Sequence, residues 1–167
     1  MKIRELIKKK YIELIILFFI FLSDRITKLY IIHLGDVSNA SDLFSSKFLN
    51  IQLIWNNGVA FGLFSFDENK LYNILTALIL LVITVIIFMI KNSKGLKRYS
   101  LLMILGGALG NVFDRIFYKA VPDFIDFHVA NFHWFIFNVA DIFISIGVFF
   151  VILYEIIDNN LEKNEKN

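Results

Sequence analysis

Four apolar stretches, each near the length of a membrane span, constrain the fold of this chain more than any other feature. They run approximately over residues 11–34, 71–90, 99–116 and 135–157. About 20 apolar residues cross the hydrocarbon core as a helix, which leaves no backbone polar group unsatisfied in lipid. The composition agrees, since 57% of the 167 residues are hydrophobic, against about 45–50% in soluble domains. We therefore predict an all-α membrane protein with four transmembrane helices.

Basic residues fall on alternate connections between these stretches and predict how the chain crosses the membrane. They concentrate before the first stretch, between the second and third, and after the fourth, at Lys2, Arg4, Lys8, Lys9, Lys10, Lys91, Lys94, Lys97, Arg98, Lys163 and Lys166. Because Lys and Arg accumulate on cytoplasmic loops, we predict that both termini are cytoplasmic. The length suits one unit, so we expect a single membrane domain over residues 1–157. Residues 158–167 are polar, and we expect them to form a disordered cytoplasmic tail.

The connection over residues 35–70 is too polar to cross the membrane and too long for a simple turn. Within it, residues 48–55 alternate apolar and polar side chains, which is the pattern of a half-buried strand. Asn56, Asn57 and Gly58 then supply a turn signal. We therefore predict a small extracytoplasmic β-sheet between transmembrane helices 1 and 2, resting on the outer membrane surface.

Several kinds of chemistry are excluded by residues that the chain lacks or scatters. It contains no Cys, which excludes disulfides, thiol nucleophiles and Cys-based metal sites. His33, His128 and His133 lack the close helical spacing of a zinc protease motif, and we expect the last two at the membrane interface. No basic patch is interleaved with base-stacking aromatic side chains. We therefore predict no metal, no organic cofactor and no nucleic-acid partner.

Three acidic residues fall at one predicted depth in the membrane. With about 1.5 Å of rise per residue, Asp24 lies roughly 20 Å and Asp114 roughly 22 Å above the inner boundary. Asp141, on a helix that descends from about residue 135, lies roughly 21 Å up a core about 30 Å thick. Asn111 and Asn138 lie within one turn of this level. Because acids in a membrane segment are costly and mark functional sites, we predict a site in the outer leaflet.

Asp123 and Asp141 are the strongest candidates for acid–base chemistry in this chain. Each belongs to a polar motif beside an apolar segment. Two neighbouring carboxyl groups tend to share one proton, which suits one to act as a general base and the other as a general acid. Asp126, which follows closely on Asp123, competes for the role of Asp123.

The other charges of the layer have structural interpretations. Asp24 and Lys28 are four residues apart and are spaced to pair on one helix face. Asp114 and Arg115 are either interfacial charges or members of an internal network, and their depth favours the network. We expect Arg115 to hold Asp114, Asn138 or backbone carbonyl groups in place.

The same acids suit a second class of protein, a proton- or ion-coupled membrane transporter, since intramembrane acids also build proton relays. A relay needs polar groups at successive depths, whereas the inner half of every apolar stretch is nearly apolar. The chain also lacks the internal repeat that is typical of transporters. A non-catalytic membrane anchor, a third class, needs no acids in lipid. We therefore favour catalysis and keep the transporter as the alternative.

Five motifs, in order along nearly the whole chain, are similar to those of a known family. They are Asp24-Arg25-Ile26-Thr27-Lys28, Asn56-Asn57-Gly58-Val59-Ala60-Phe61-Gly62, Gly110-Asn111-Val112-Phe113-Asp114-Arg115, Val121-Pro122-Asp123-Phe124-Ile125-Asp126 and Phe137-Asn138-Val139-Ala140-Asp141. With these motifs the chain resembles the lipoprotein signal peptidases (signal peptidase II), which are bacterial membrane aspartyl proteases.

The resemblance implies a set of site residues. The two catalytic aspartates of the family match Asp123 and Asp141. The supporting or substrate-binding residues expected from the same motifs are Asp24, Lys28, Asn56, Gly58, Asn111, Asp114, Arg115 and Asn138. Pro122 departs from the family pattern directly before Asp123, and it disfavours helical geometry at Val121.

The resemblance also implies a substrate and a location. A member of this family is an aspartic endopeptidase that removes signal peptides from prolipoproteins, cutting before a Cys that carries a diacylglyceryl group. Its partners are this precursor and membrane lipids, and it needs no metal or organic cofactor. It lies in the bacterial cytoplasmic (inner) membrane, with its active site toward the outer leaflet.

Overall fold

A computed structural model describes residues 3–38, 40–57, 68–130 and 132–165 of the chain. Its helices are α1 (Ile3–Ser38), α2 (Glu68–Asn92), α3 (Gly95–Tyr118) and α4 (Val139–Glu165). Its strands are β1 (Asp42–Ser45), β2 (Leu49–Asn56), β3 (Val121–Val129) and β4 (Phe132–Phe137). Residues 58–67, which include Gly58, the last residue of the expected turn, lie outside the described residues.

Three helices in the described part of the chain are long and apolar enough to cross a membrane. They cover Tyr72–Asn92, Gly95–Tyr118 and Val139–Asp158. Large apolar side chains on these helices are exposed rather than buried, among them Leu81, Phe88, Phe117 and Phe149. Because a water-soluble helix does not expose such a surface, this arrangement confirms a mainly helical membrane protein. Helix α1 is long enough to cross a membrane, but its charged residues exclude it from this group. They are Glu13, Asp24, Arg25 and Lys28.

Helix α3 is the centre of the bundle and packs against the other three helices. Its contact with α2 is an apolar core formed by Ile83, Ile86, Ile90, Leu101, Leu102, Leu105 and Val112. Its contacts with α1 are closer, because glycine lets the helix backbones approach. A Cβ atom at Gly106 would lie 3.0 Å from the Ile20 side chain, and one at Gly110 would lie 2.5 Å from Asp24 Oδ2. The fold therefore brings Asp24 directly against the backbone of α3.

The strands form one antiparallel sheet with the order β1-β2-β3-β4. The predicted strand at residues 48–55 is confirmed as β2, which is displaced by one residue. The prediction that the sheet lies between helices 1 and 2 is only half right, because β3 and β4 come from the connection between α3 and α4. This second hairpin was missed because the aromatic run of β4, Phe132–Phe137, is apolar enough to resemble the start of a membrane helix.

The predicted start of the fourth span needs correction, whereas its predicted end at residue 157 lies one residue from Asp158, where the apolar part of α4 ends. The helix begins at Val139 and not near residue 135, because residues 135–137 belong to β4. At its other end α4 continues to Glu165, so the expectation of a disordered tail is wrong as far as that residue. The tail sequence Leu161-Glu162-Lys163 consists of good helix formers, and adding residues to an existing helix avoids the cost of nucleation.

Candidate active site

Four charged residues of α1 and α3 form a buried cluster. Lys28 Nζ lies 2.9 Å from Asp24 Oδ1 and 2.7 Å from Asp114 Oδ2. Arg25 Nη2 donates to Asp24 at 3.0 Å and to Asp114 at 2.7 Å. The side chains of Asp24, Lys28 and Asp114 are 0% exposed. Two carboxylates facing two cations make a neutral cluster, which is the condition for burying charges at a tolerable cost.

Lys28 also fixes the orientation of the Asn111 amide. Its ammonium donates to Asn111 Oδ1 at 2.8 Å, in addition to its bonds with the two carboxylates. The Asn111 nitrogen must then face away from the cation, and Nδ2 donates to Asp141 Oδ1 at 2.8 Å. The three acids that we expected at one level, Asp24, Asp114 and Asp141, are therefore joined by a continuous network of hydrogen bonds and ion pairs. This network runs through Lys28 and Asn111.

The first turn of α4 explains why the helix begins where it does. Asn138 Oδ1 accepts the backbone N–H of Asp141 at 3.2 Å, and Asp141 Oδ2 accepts the backbone N–H of Asn138 at 3.1 Å. This reciprocal pair is a capping box built from Asn and Asp. Asp24 Oδ1 accepts a further N–H of the first turn, that of Ala140, at 3.0 Å. These bonds place the Asp141 carboxylate at the positive end of the α4 dipole.

Asp123 lies on β3, and its carboxyl group is held by two amides. Asn138 Nδ2 donates to Oδ1 at 2.6 Å, and Asn56 Nδ2 donates to Oδ2 at 2.8 Å. Asn138 therefore contacts both Asp123 and Asp141. Burial raises the pKa of Asp123 above its ordinary value, the two amides lower it, and the charge of Asp141 raises it further. Asp123 consequently keeps its proton to a higher pH than an exposed aspartate does.

Asp123 and Asp141 open into the same cleft. It has a volume of about 520 Å³ and is lined by Asn56, Asp123, Phe135, Ile136, Phe137, Asp141, Ile142, Ser145 and Ile146. Two carboxyl groups thus stand in a pocket whose remaining wall is mostly apolar. Such a pocket is suited to hold an apolar substrate while a few polar groups orient it.

Among the described residues, Arg115 does not bind Asp114 or Asn138, two of the partners that the sequence led us to expect. Asp114 is bound by Arg25 and Lys28, whereas the Arg115 guanidinium is buried over the Tyr72 ring, 5.6 Å from its centre. The reason is that consecutive helix residues point about 100° apart, so Arg115 faces α2 while Asp114 faces α1. Sequence reasoning also missed Arg25, although two buried acids beside one lysine are a signal that a second cation is needed.

Asp126, the competitor of Asp123, belongs to a different cluster. Its carboxylate accepts from Asn50 and Gln52 and lies 2.8 Å from His133 Nδ1. Among the described residues, Asp126 is not one of those that line the cleft.

Pro122 lies within β3, opposite Trp55. The backbone before Asp123 is therefore extended rather than helical, and Asp123 follows directly on the same strand.

Comparison with known sequences relates almost the whole chain to one family. Residues 16–157 match the sequence profile of the family described as Signal peptidase (SPase) II. The lipoprotein signal peptidase of Pelagibacter ubique (strain HTCC1062) is 53% identical over 161 residues, covering 96% of this chain and 97% of that protein. The lipoprotein signal peptidase of Anaplasma phagocytophilum (strain HZ) is 36% identical over 151 residues, covering 89% of this chain and 94% of its own length.

Solved structures agree with this relationship. A bacterial membrane enzyme determined by the in meso method at 2.3 Å resolution has a TM-score of 0.68, 30% identity and 88% coverage of both chains. A second bacterial membrane enzyme, determined by the same method at 1.9 Å resolution, has a TM-score of 0.68 and 31% identity. That match covers 85% of this chain and 90% of the other.

Proposed function

Because the chain belongs to the signal peptidase II family, a family of aspartic-type proteases, we propose that it removes signal peptides from bacterial prolipoproteins, with Asp123 and Asp141 as its catalytic dyad. The observation that carries this assignment is that both carboxyl groups open into one cleft and both bind Asn138. Family membership also favours the protease over the transporter that the acids alone left open.

Asp141 is the general base of the proposed mechanism. Its carboxylate accepts from the Asn111 side chain and the Asn138 backbone, and it caps the N-terminus of α4. These contacts hold the carboxylate in place at the start of the helix. Asp141 takes a proton from a water molecule in the cleft, and the water attacks the carbonyl carbon of the bond to be cut.

Asp123 is the general acid. Burial raises the pKa of Asp123 and so favours its protonated form, and its location in the cleft lets that form donate a hydrogen bond to the substrate carbonyl. This bond strengthens as negative charge develops on the oxygen. The carbon–nitrogen bond then breaks, and the proton that Asp141 took from water passes to the leaving amine. Asn56 and Asn138 hold Asp123 in place during these steps.

The remaining site residues position this pair. Asp24, Lys28 and Asp114 fix Asn111 and the first turn of α4, and through them the Asp141 carboxylate. Arg115, buried beside Tyr72, supports the same region of α3. Gly58 belongs to the motif that follows β2 and is assigned to the substrate-binding set by its sequence alone.

The proposed location is the bacterial inner membrane, with four spans. We include α1 as the fourth span because one of its faces is charged and buried and the other is apolar and exposed. Asp24, Arg25 and Lys28 are buried against α3, while its exposed face carries Leu14, Ile15, Phe18, Phe19, Leu22 and Ile26. The concentration of Lys and Arg before α1 and between α2 and α3 supports cytoplasmic termini. The sheet and the cleft then lie toward the outer leaflet, and residues 1–157 act as one domain.

The proposed substrate is a precursor whose Cys carries a diacylglyceryl group. The apolar part of the cleft, formed by Phe135, Phe137, Ile142 and Ile146, suits a substrate held by acyl chains in the same leaflet. The test uses two synthetic precursor peptides of identical sequence, one diacylated on Cys and one unmodified, with products identified by mass spectrometry. We expect cleavage of the diacylated peptide directly before Cys. Equal cleavage of both peptides, or cleavage at another bond, would contradict the proposal.

A further inference from the structure

Asp126, His128 and His133 form a second cluster of titratable groups, distinct from the cleft. One ligand atom from each residue lies within 4.8 Å of the others. Alternate residues of a strand face opposite sides of a sheet, so Asp126 and His128 lie on the face of β3 opposite Asp123. The cluster is therefore separated from the proposed dyad by the sheet itself.

A β-bulge builds this cluster. Asp126 pairs with Ile136, and His128 pairs with His133, so two steps along β3 correspond to three steps along β4. Without the additional residue, Trp134 would lie opposite His128. The bulge thus turns His133 to the side on which Asp126 and His128 lie, as bulges do where a side chain must be redirected.

The Asp126 carboxylate is held by two hydrogen bonds from side chains of β2. Asp126 is 0% exposed, and its Oδ2 accepts from Asn50 Nδ2 at 3.2 Å and from Gln52 Nε2 at 3.3 Å. His133 Nδ1 lies 2.8 Å from the same oxygen, while the His133 side chain is 52% exposed. Hydrogen bonds of this kind orient carboxylate ligands of metal ions in proteins.

His128 carries an unused ligand atom. Its Nδ1 is buried and has no hydrogen-bond partner among the described residues. Its ring is stacked on that of His133, with ring centres 4.9 Å apart. Because a buried polar atom without a partner costs free energy, this nitrogen indicates that another species completes the site.

We propose that Asp126, His128 and His133 bind one Zn²⁺ ion, contrary to the prediction of no metal from the sequence, because the pairing of β3 with β4 brings together two histidines that are not spaced for one helix face. Two imidazoles and one carboxylate are a ligand set that zinc accepts in proteins, with a fourth position left for water. The ion takes the place of the hydrogen between His133 Nδ1 and Asp126, and the neutral His133 ring then carries its hydrogen on Nε2. The exposed edge of His133 provides the path of entry. The ion joins β3 to β4 across the bulge, and since β3 also carries Asp123, it stiffens the strand that presents this residue.

The proposal does not depend on the protease assignment, and its test measures metal binding. Purified full-length protein without a polyhistidine tag is dialysed against buffered Zn²⁺, and bound metal is counted by mass spectrometry. We expect one equivalent per chain, and retention of it in excess Mg²⁺ or Ca²⁺. His128→Gln and His133→Gln should each weaken binding by at least about tenfold. His33→Gln, at an exposed position on α1, is the matched control and should bind as the wild type does.

Co²⁺ supplies a second readout, because its visible spectrum reports nitrogen ligands and low coordination number. We expect a Co²⁺ spectrum in the wild type and in His33→Gln that is lost in the other two variants. The thermal midpoint of every variant without metal is measured as a control for folding. Unchanged zinc affinity in both His128→Gln and His133→Gln, or no zinc bound by the wild type, would overturn the proposal.

Discussion

Replacing Asn111 by Asp exchanges one side-chain nitrogen for an oxygen of nearly the same size. Asn111 accepts from Lys28 through Oδ1 and donates to Asp141 through Nδ2, each at 2.8 Å. In Asn111→Asp the contact with Lys28 is retained, but two carboxyl oxygens meet where the second hydrogen bond was. We expect a folded protein in the membrane with strongly reduced cleavage.

The size of the effect follows from the bond that is lost. A hydrogen bond to a charged group contributes about 1.5–3 kcal/mol. If that energy orients the Asp141 carboxylate in the transition state, its loss lowers kcat/KM by about 10- to 100-fold, since about 1.4 kcal/mol is a factor of ten in rate. The repulsion between the two carboxyl groups acts in the same direction.

The assay is steady-state cleavage of the diacylated precursor peptide by purified protein. Asn92→Asp is the matched control, since it introduces the same charge at an exposed position near the end of α2. We expect this control to cleave as the wild type does. If Asn111→Asp retained activity within about threefold of wild type, which is under about 1 kcal/mol of barrier, the inference that Asn111 acts on Asp141 would be refuted.

Three further predictions concern the packing and charges of the site. Gly110→Ala should destabilise the protein by about 1–3 kcal/mol through overpacking and so lower its thermal midpoint, because the new Cβ would lie 2.5 Å from Asp24 Oδ2. Gly35→Ala is the control and should be tolerated better, because its Cβ would meet only the movable end of the Leu53 side chain. Equal thermal midpoints of the two variants would contradict this reason. Lys28→Met should destabilise the protein by about 3–5 kcal/mol, measured by thermal unfolding in detergent, and an unchanged midpoint would contradict the paired cluster. Cleavage should decline as pH rises through the raised pKa of Asp123, because the protonated form of Asp123 is required. Asn56→Ala removes a hydrogen bond that lowers this pKa, so in that variant the decline should move to higher pH. A shift to lower pH would be evidence against Asp123 as the general acid.

Much of the site was predictable because it depends on helix geometry. A constant rise per residue placed Asp24 and Asp114 at one depth, and the network through Lys28 and Asn111 joins them to Asp141. The depth of Asp141 was derived from a helix start near residue 135, whereas the helix begins at Val139. Its position follows instead from capping, and the spacing of Asn138 and Asp141 was the available signal.

The second hairpin was not predictable from apolar periodicity alone. At a membrane surface, an aromatic strand and the beginning of a helix are both apolar, so hydropathy does not separate β4 from α4. The direction of Arg115 also escaped prediction. It depends on which neighbouring helix each face of α3 meets, and that is a property of the bundle rather than of α3.

The central claim is that Asp123 and Asp141 together perform the cleavage, and single substitutions of each test it most directly. Rates for Asp123→Asn and Asp141→Asn are compared with the wild type and with Asp42→Asn, an exposed position on the same sheet. We predict losses of about 100- to 10,000-fold, the range of general acid–base catalysis, in the two cleft variants and none in the control. Cleavage near the wild-type rate in either cleft variant, in protein that remains folded, would contradict the account.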